Sequence, residues 1–137
     1  MLGEALLPTA PKRAESLAAS ALAATRGRRA NPRTRAEASL VLARARLSLG
    51  KRDSASRLAI RALKAATDVG APLLLIRAQL VQAQVDTCYR SNRRLDRADQ
   101  HARSAVESSE KAGATRWRVE ALSILAEVLR HKHSPER

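Results

Sequence analysis

The sequence has very few aromatic residues. Its 137 residues include one Trp, one Tyr and no Phe, so the 45% apolar content is mainly aliphatic. Ala and Leu, with 28 and 19 copies, make up about a third of the chain. These residues favour helices, whereas strands are rich in β-branched and aromatic residues. The composition therefore argues against all-β and parallel α/β folds and predicts an all-α protein, long enough for one self-supporting domain.

Cysteine and long apolar stretches are also scarce. Cys88 is the only cysteine, which excludes an internal disulfide and a cysteine-rich metal site. We interpret it as a small buried hydrophobic residue without a reactive role. The longest uncharged stretch, residues 16–25, has ten residues, about half the length that a membrane-spanning helix needs. The first residues lack the basic and apolar segments of a secretory signal, so we expect a cytoplasmic protein.

A repeat with a period of about 42 residues organises the chain. A shift of 43 residues superimposes Asp53 on Asp96 and Gly70 on Gly113, and a shift of 41 superimposes Leu17 on Leu58. The repeated unit is an amphipathic helix in which apolar residues recur every three or four positions. In the middle copy these residues are Ala55, Leu58, Ala59, Ala62, Leu63 and Ala66. Small residues at these positions allow the close helix approach that is typical of stacked helical repeats.

Capping signals divide the chain into six helices, at about 10–26, 34–49, 53–69, 72–91, 95–112 and 115–131. The predicted N-caps are Thr34 in a capping-box sequence, Asp53, Asp96 and Thr115. Glycines 50, 70 and 113 are placed to end helices. The predicted apolar face of the fourth helix consists of Leu75, Ala78, Val81, Val85 and Cys88. That of the sixth consists of Trp117, Ala121, Leu122, Leu125, Ala126 and Leu129. Residues 1–9 form a short lead, residues 10–131 a single domain and residues 132–137 a disordered tail.

The segment from Leu47 to Ala55, LSLGKRDSA, followed by Ala59, Ala62 and Leu63, resembles the turn and second helix of a tetratricopeptide (TPR) repeat. The segment Arg93–Ala98 begins a second copy, with Arg93 in place of the usual turn glycine. The period exceeds the standard one of about 34 residues, and the large aromatics of the standard repeat are missing. The chain resembles the long-period repeats of bacterial regulators of the LuxR and maltose-regulator type, and similar units occur in scaffold subunits. This resemblance implies a right-handed αα-superhelix of about six antiparallel helices that binds other proteins.

The sequence contains no recognisable catalytic or cofactor-binding pattern. The five glycines are spread one per turn, which excludes a glycine-rich phosphate loop. No Ser–His–acid set is evident, and the acidic residues are spaced as helix-surface charges. His131 and His133 lack the further ligands that a metal site needs. We interpret His101 as a partly buried packing residue and Trp117 as a packing residue at the helix seam. We therefore expect a non-enzymatic protein without a cofactor or bound metal.

Charge is the feature with the clearest functional meaning. The net charge is +13, and residues 26–61 contribute +9 of it, from eleven basic and two acidic residues. This basic segment is interpreted as a solvated helix face, as a surface for an acidic protein or peptide, or as a nucleic-acid surface. Aromatic residues for base stacking are missing from it. A separate hypothesis for the function is a homo-oligomer joined through the end helices, because both outer hairpins are incomplete in the predicted frame.

The favoured interpretation is a protein-interaction module that binds an acidic partner in a basic helical groove. The candidate partner-binding residues are Arg44, Arg46, Arg90, Arg93 and Arg94.

Overall fold

The computed structural model describes residues 10–26 and 31–133, which form six α-helices and no strand. The helices are α1 (Pro11–Ala24), α2 (Pro32–Ser48), α3 (Arg52–Val69), α4 (Pro72–Tyr89), α5 (Asn92–Lys111) and α6 (Thr115–Lys132). The all-α class and all six helices are thus confirmed, with ends within three residues of the predicted ones. The predicted lead, residues 1–9, and the last four residues of the predicted tail lie outside the described residues. Lys132, the first residue of that tail, belongs to α6 instead.

The chain divides after Gly70 into two compact units, which contain α1–α3 and α4–α6 respectively. In unit 1, α2 contacts both α1 and α3, and nearly half of its residues are buried. The predicted face of α3 is confirmed, since only Leu63 of its six apolar residues is more than slightly exposed. The stacking of all six helices into one superhelix stays a prediction.

Unit 2 is built around alanines of its middle helix. Ala98, Ala102 and Ala105 of α5 are completely buried and pack against residues of α4 and α6, among them Ile76, Leu80, Ala121, Ile124 and Val128. Alanine at three successive turns lets the neighbouring helices approach closely.

Two predicted details of the unit 2 core are wrong. In the predicted face of α6, Ala121 is completely buried and Leu125 packs against the core. Leu122 and Ala126 lie instead on the outer side, where Leu122 is 45% exposed, and Ile124 and Val128 take the remaining core positions. Cys88 was expected in the apolar face of α4 but is exposed, because it lies one residue from the end of that helix, whereas Ala78, Val81 and Val85 of the same predicted face are buried.

The helices begin earlier than the predicted caps. Asn31 caps α2 by accepting a hydrogen bond from the amide of Arg33 at 2.9 Å, and Ser91 caps α5 by accepting from that of Arg94 at 3.3 Å. The prediction of four N-caps is therefore wrong, because these residues lie inside their helices, within the first five positions. They are Thr34, Asp53, Asp96 and Thr115. The predicted glycine ends are confirmed, because glycines 50, 70 and 113 all have a positive φ, as left-handed C-terminal residues do.

Candidate functional site

A cleft in unit 1 is the candidate functional site. It has a volume of about 380 Å³ and is lined by all three helices of the unit. Its lining residues are Leu22, Arg26, Pro32, Arg35, Ala36, Ser39, Leu58, Arg61, Ala62 and Ala65. The volume is within the usual range of ligand-binding clefts, roughly 300 to 1,000 Å³.

Small and apolar side chains form the inner wall of the cleft. Ala36, Ser39, Leu58 and Ala62 are buried, and the Ser39 hydroxyl donates to the carbonyl of Arg35 at 3.0 Å, which satisfies it within its own helix. Because alanine and serine occupy the positions where larger residues would fill the space between helices, the cleft stays open. Leu22, Pro32 and Ala65 are less buried and leave apolar surface open to the cleft, which can cover an apolar group.

Three arginines stand at the rim of the cleft. Arg26 follows α1, Arg35 lies on α2 and Arg61 lies on α3, and all three are exposed. None of the described lining residues is acidic. Among the residues that the structure describes, none forms an ion pair with these three side chains. An anion that enters the cleft can therefore bind these guanidinium groups without breaking an ion pair with a carboxylate of the described residues.

The start of α2 adds to the positive potential of the cleft. Pro32, Arg35 and Ala36 belong to the first turns of this helix, and its first turn contains no acidic residue. Amide groups at a helix N-terminus carry a partial positive charge that attracts anions. The cleft is therefore suited to a ligand with both a negative charge and an apolar part.

The two sequence-predicted residues of unit 1 lie on α2 outside the cleft lining. Arg44 is half-buried. Arg46 donates from Nη1 to the Oγ of Ser54 on α3 at 2.6 Å, and its Nε lies 3.7 Å from a carboxylate oxygen of Glu15 on α1. Lys51 completes this cluster with a 2.8 Å contact to Glu15. Arg46 therefore joins the three helices of unit 1.

The other three predicted residues lie in unit 2, around the turn between α4 and α5. Arg90 is the C-cap of α4 and has a left-handed conformation with a φ of 54°. Arg93 is exposed in the first turn of α5. Arg94 lies 3.0 Å from a carboxylate oxygen of Asp86 and stacks on the ring of Tyr89, 4.0 Å from its centre. The five predicted residues thus belong to two different units and do not form one site within either.

Asp86 is a buried charge in unit 2. It has no exposed surface, and its Oδ2 accepts a hydrogen bond from the Nε2 of Gln82 at 3.2 Å. Burial raises the pKa of Asp86, although this hydrogen bond and the charge of Arg94 oppose the rise. Burial also lowers the pKa of the half-buried His101, which the charge of Asp86 partly offsets. Because the carboxylate is fully enclosed, we interpret this cluster as a structural link between α4 and α5.

Trp117 and His131, which the sequence also singled out, both contact neighbouring side chains. Trp117 packs against the unit 2 core, as predicted, and Arg116 and Arg77 lie over its ring, 5.4 and 5.9 Å from the centre. His131 lies 3.8 Å from Glu127 on its own helix. The described residues contain no group of three His, Cys, Asp or Glu side chains arranged to hold a metal ion. No described helix combines the length and apolar character needed to cross a membrane.

Comparisons with protein-family models, curated proteins and solved structures give no match for this chain.

The cleft arginines lie within the basic segment that the sequence analysis identified, but they were not singled out there. One signal points to Arg61, because Leu58, Arg61, Ala62 and Ala65 share the i, i+3, i+4, i+7 spacing of one helix face. No such local signal points to Arg26, which reaches the cleft only because α1 ends beside α2 and α3.

Proposed function

We propose that this chain is a non-catalytic, TPR-like protein-interaction module that binds an acidic peptide or protein in the unit 1 cleft. The observation that carries the proposal is the convergence of three rim arginines, one contributed by each helical segment, on a cleft with an apolar inner wall. The repeat pattern and the +9 charge of residues 26–61 support the same function. A guanidinium group binds a carboxylate through two parallel hydrogen bonds, which favours arginine at such a site.

A protein partner is favoured over nucleic acid by the position of the aromatic residues. Sequence-tolerant binding of single strands uses aromatic side chains on which bases stack. Tyr89 and Trp117 both lie in unit 2, where each is already in contact with arginine side chains. The cleft lining contains no aromatic residue among those described. The cleft therefore offers charge and apolar surface but no stacking platform.

The proposal is tested by removing the three rim charges. The affinity of this variant is compared with that of a control variant that loses the same number of charges elsewhere in unit 1. The probe is a fluorescently labelled peptide of about twelve residues, rich in glutamate with one central leucine. Exposed ion pairs contribute up to about 1 kcal/mol each, so the triple variant Arg26→Ala, Arg35→Ala, Arg61→Ala should bind this peptide roughly ten- to a hundredfold more weakly. Fluorescence anisotropy measures the dissociation constants.

The control variant removes three other exposed basic residues of unit 1, namely Lys12, Arg13 and Arg57. It loses the same charge and should keep most of the affinity. Equal losses in the two variants would contradict a cleft-specific site and indicate attraction by net charge alone. An oligonucleotide of similar length is the second probe, and its affinity should fall log-linearly with salt if phosphates dominate. Binding of the oligonucleotide in preference to the peptide would overturn the proposal in favour of nucleic acid.

A further inference from the structure

The apolar wall of the unit 1 cleft indicates which uncharged group of the partner fits there, which the rim charges do not. Six of the ten described lining residues are Ala, Leu or Pro, and among them Leu22 and Ala65 are half-buried and Pro32 is exposed, so they leave apolar surface open to the cleft. An acidic side chain bound only at the rim would leave this apolar wall in contact with water. The wall contributes to affinity only when an apolar group of the partner covers it.

The cleft is large enough to admit such a group. Its 380 Å³ correspond to roughly a dozen water molecules at about 30 Å³ each. Water against an apolar wall makes few hydrogen bonds with the protein, so its displacement by an apolar side chain is favourable. Ser39 has the one buried polar side chain among the described lining residues, and its hydroxyl already donates to the carbonyl of Arg35. The inner part of the cleft therefore has little to offer a charged group.

We propose that the unit 1 cleft recognises an apolar side chain of about leucine size that is flanked by acidic residues in the partner chain. This inference rests on the proposed function and specifies the partner's chemistry. The apolar side chain lies against Leu22, Pro32 and Ala65. The flanking carboxylates lie at the rim by Arg26, Arg35 and Arg61. A peptide with serine in place of the leucine has the same charge and loses only the contact with the inner wall.

The experiment varies the apolar contact without changing any charge. Two labelled peptides of equal length and charge are compared on the unaltered chain, one with a central leucine and one with serine in its place. Full burial of a leucine side chain is worth enough to change affinity by about tenfold or more. We expect the leucine peptide to bind about tenfold more tightly by anisotropy.

A cleft variant provides the second measurement. Ala65 is half-buried in the lining, and Ala65→Leu fills part of the cleft from the α3 side. This change should weaken the leucine peptide about five- to tenfold and leave the serine peptide almost unchanged. Ala19→Leu is the matched control, because Ala19 is a half-buried alanine of α1 outside the cleft lining, and it should change neither affinity. Circular dichroism verifies that both variants keep the helical content of the parent.

The outcomes separate this inference from the proposed function. If both peptides bind equally and both depend on the rim arginines, the inference is overturned while the proposed function stands. If neither peptide binds at low salt, both are overturned. The peptide comparison uses the unaltered chain and therefore decides the matter even if Ala65→Leu does not fold.

Discussion

The arginine residues of this chain include some that pair with carboxylates inside a unit and others that are exposed at the cleft. Arg46 and Arg94 are used inside their units, where they meet Glu15 and Asp86, whereas Arg35 and Arg61 stand exposed at the cleft. The sequence predicted where positive charge is concentrated. It could not predict which guanidinium groups are used internally, because Glu15 is 31 positions from Arg46 and only the packing of α1 on α2 brings them together.

The cluster of Asp86 and His101 in unit 2 leads us to predict that the stability of the chain depends on pH. Because burial lowers the pKa of His101 in the folded chain below its ordinary 6.5, the unfolded chain takes up a proton first as the pH falls. The contribution of His101 to stability is therefore present above about pH 6.5 and is lost as the pH falls toward the lowered folded-state pKa. Part of any loss of stability between pH 7.5 and 5.5 should thus disappear in His101→Gln.

The check is a set of urea unfolding curves at about pH 7.5 and 5.5, followed by circular dichroism. The two chains should differ in how far their midpoints move between these pH values, with the smaller movement in His101→Gln. Identical movements would show that His101 is not responsible for the pH dependence.

At the scale of the helix, amphipathic elements were the most predictable. In α3 and α5 one side is apolar and the other is charged, so the buried faces were identified from periodicity alone. In α6 apolar residues occur on several sides, since Val119 and Leu122 are exposed while Ile124 and Val128 are buried. Local periodicity therefore allowed two faces, and contact with Ala102 and Ala105 of α5 selects one of them. The start of a helix depends on a single capping hydrogen bond. This explains why the predicted N-caps lie inside the observed helices.

The ends of α3 and α4 provide a matched test of helix termination. Gly70 and Arg90 are the left-handed C-caps of these helices, with φ values of 71° and 54°. A residue with a Cβ is strained in this conformation by roughly 1 kcal/mol or more, and a Cβ at Gly70 would meet no other atom within 4 Å. Gly70→Ala should therefore destabilise the chain by about 1 kcal/mol through the backbone alone, and Arg90→Gly should stabilise it by about 0.5 kcal/mol.

Both changes are measured as the free energy of unfolding in urea. Opposite signs are expected for the two substitutions. A loss of stability in Arg90→Gly would mean that contacts of the arginine side chain outweigh the strain of its backbone.

On the scale of the whole molecule, the two units differ in charge. Residues 1–70 contain fourteen basic and five acidic residues, whereas residues 71–137 contain twelve and eight. In unit 2 most of the acidic side chains take part in ion pairs, such as those of Asp99 with Arg103 and Lys132. Excess positive charge is thus concentrated in the unit that contains the cleft, where it would speed the encounter with an acidic partner. The scarcity of aromatics, which first suggested a helical chain, also leaves the described cleft lining without a stacking surface.

The central claim is that the unit 1 cleft, and not the turn between α4 and α5, is the binding site. It is tested most directly by nuclear magnetic resonance of the ¹⁵N-labelled chain during titration with the acidic leucine peptide. We expect saturable shift changes at the amides of the cleft, near residues 22–26, 35–39 and 58–65, and little change near Arg90, Arg93 and Arg94. Changes centred on those three arginines with an unperturbed cleft would contradict the account.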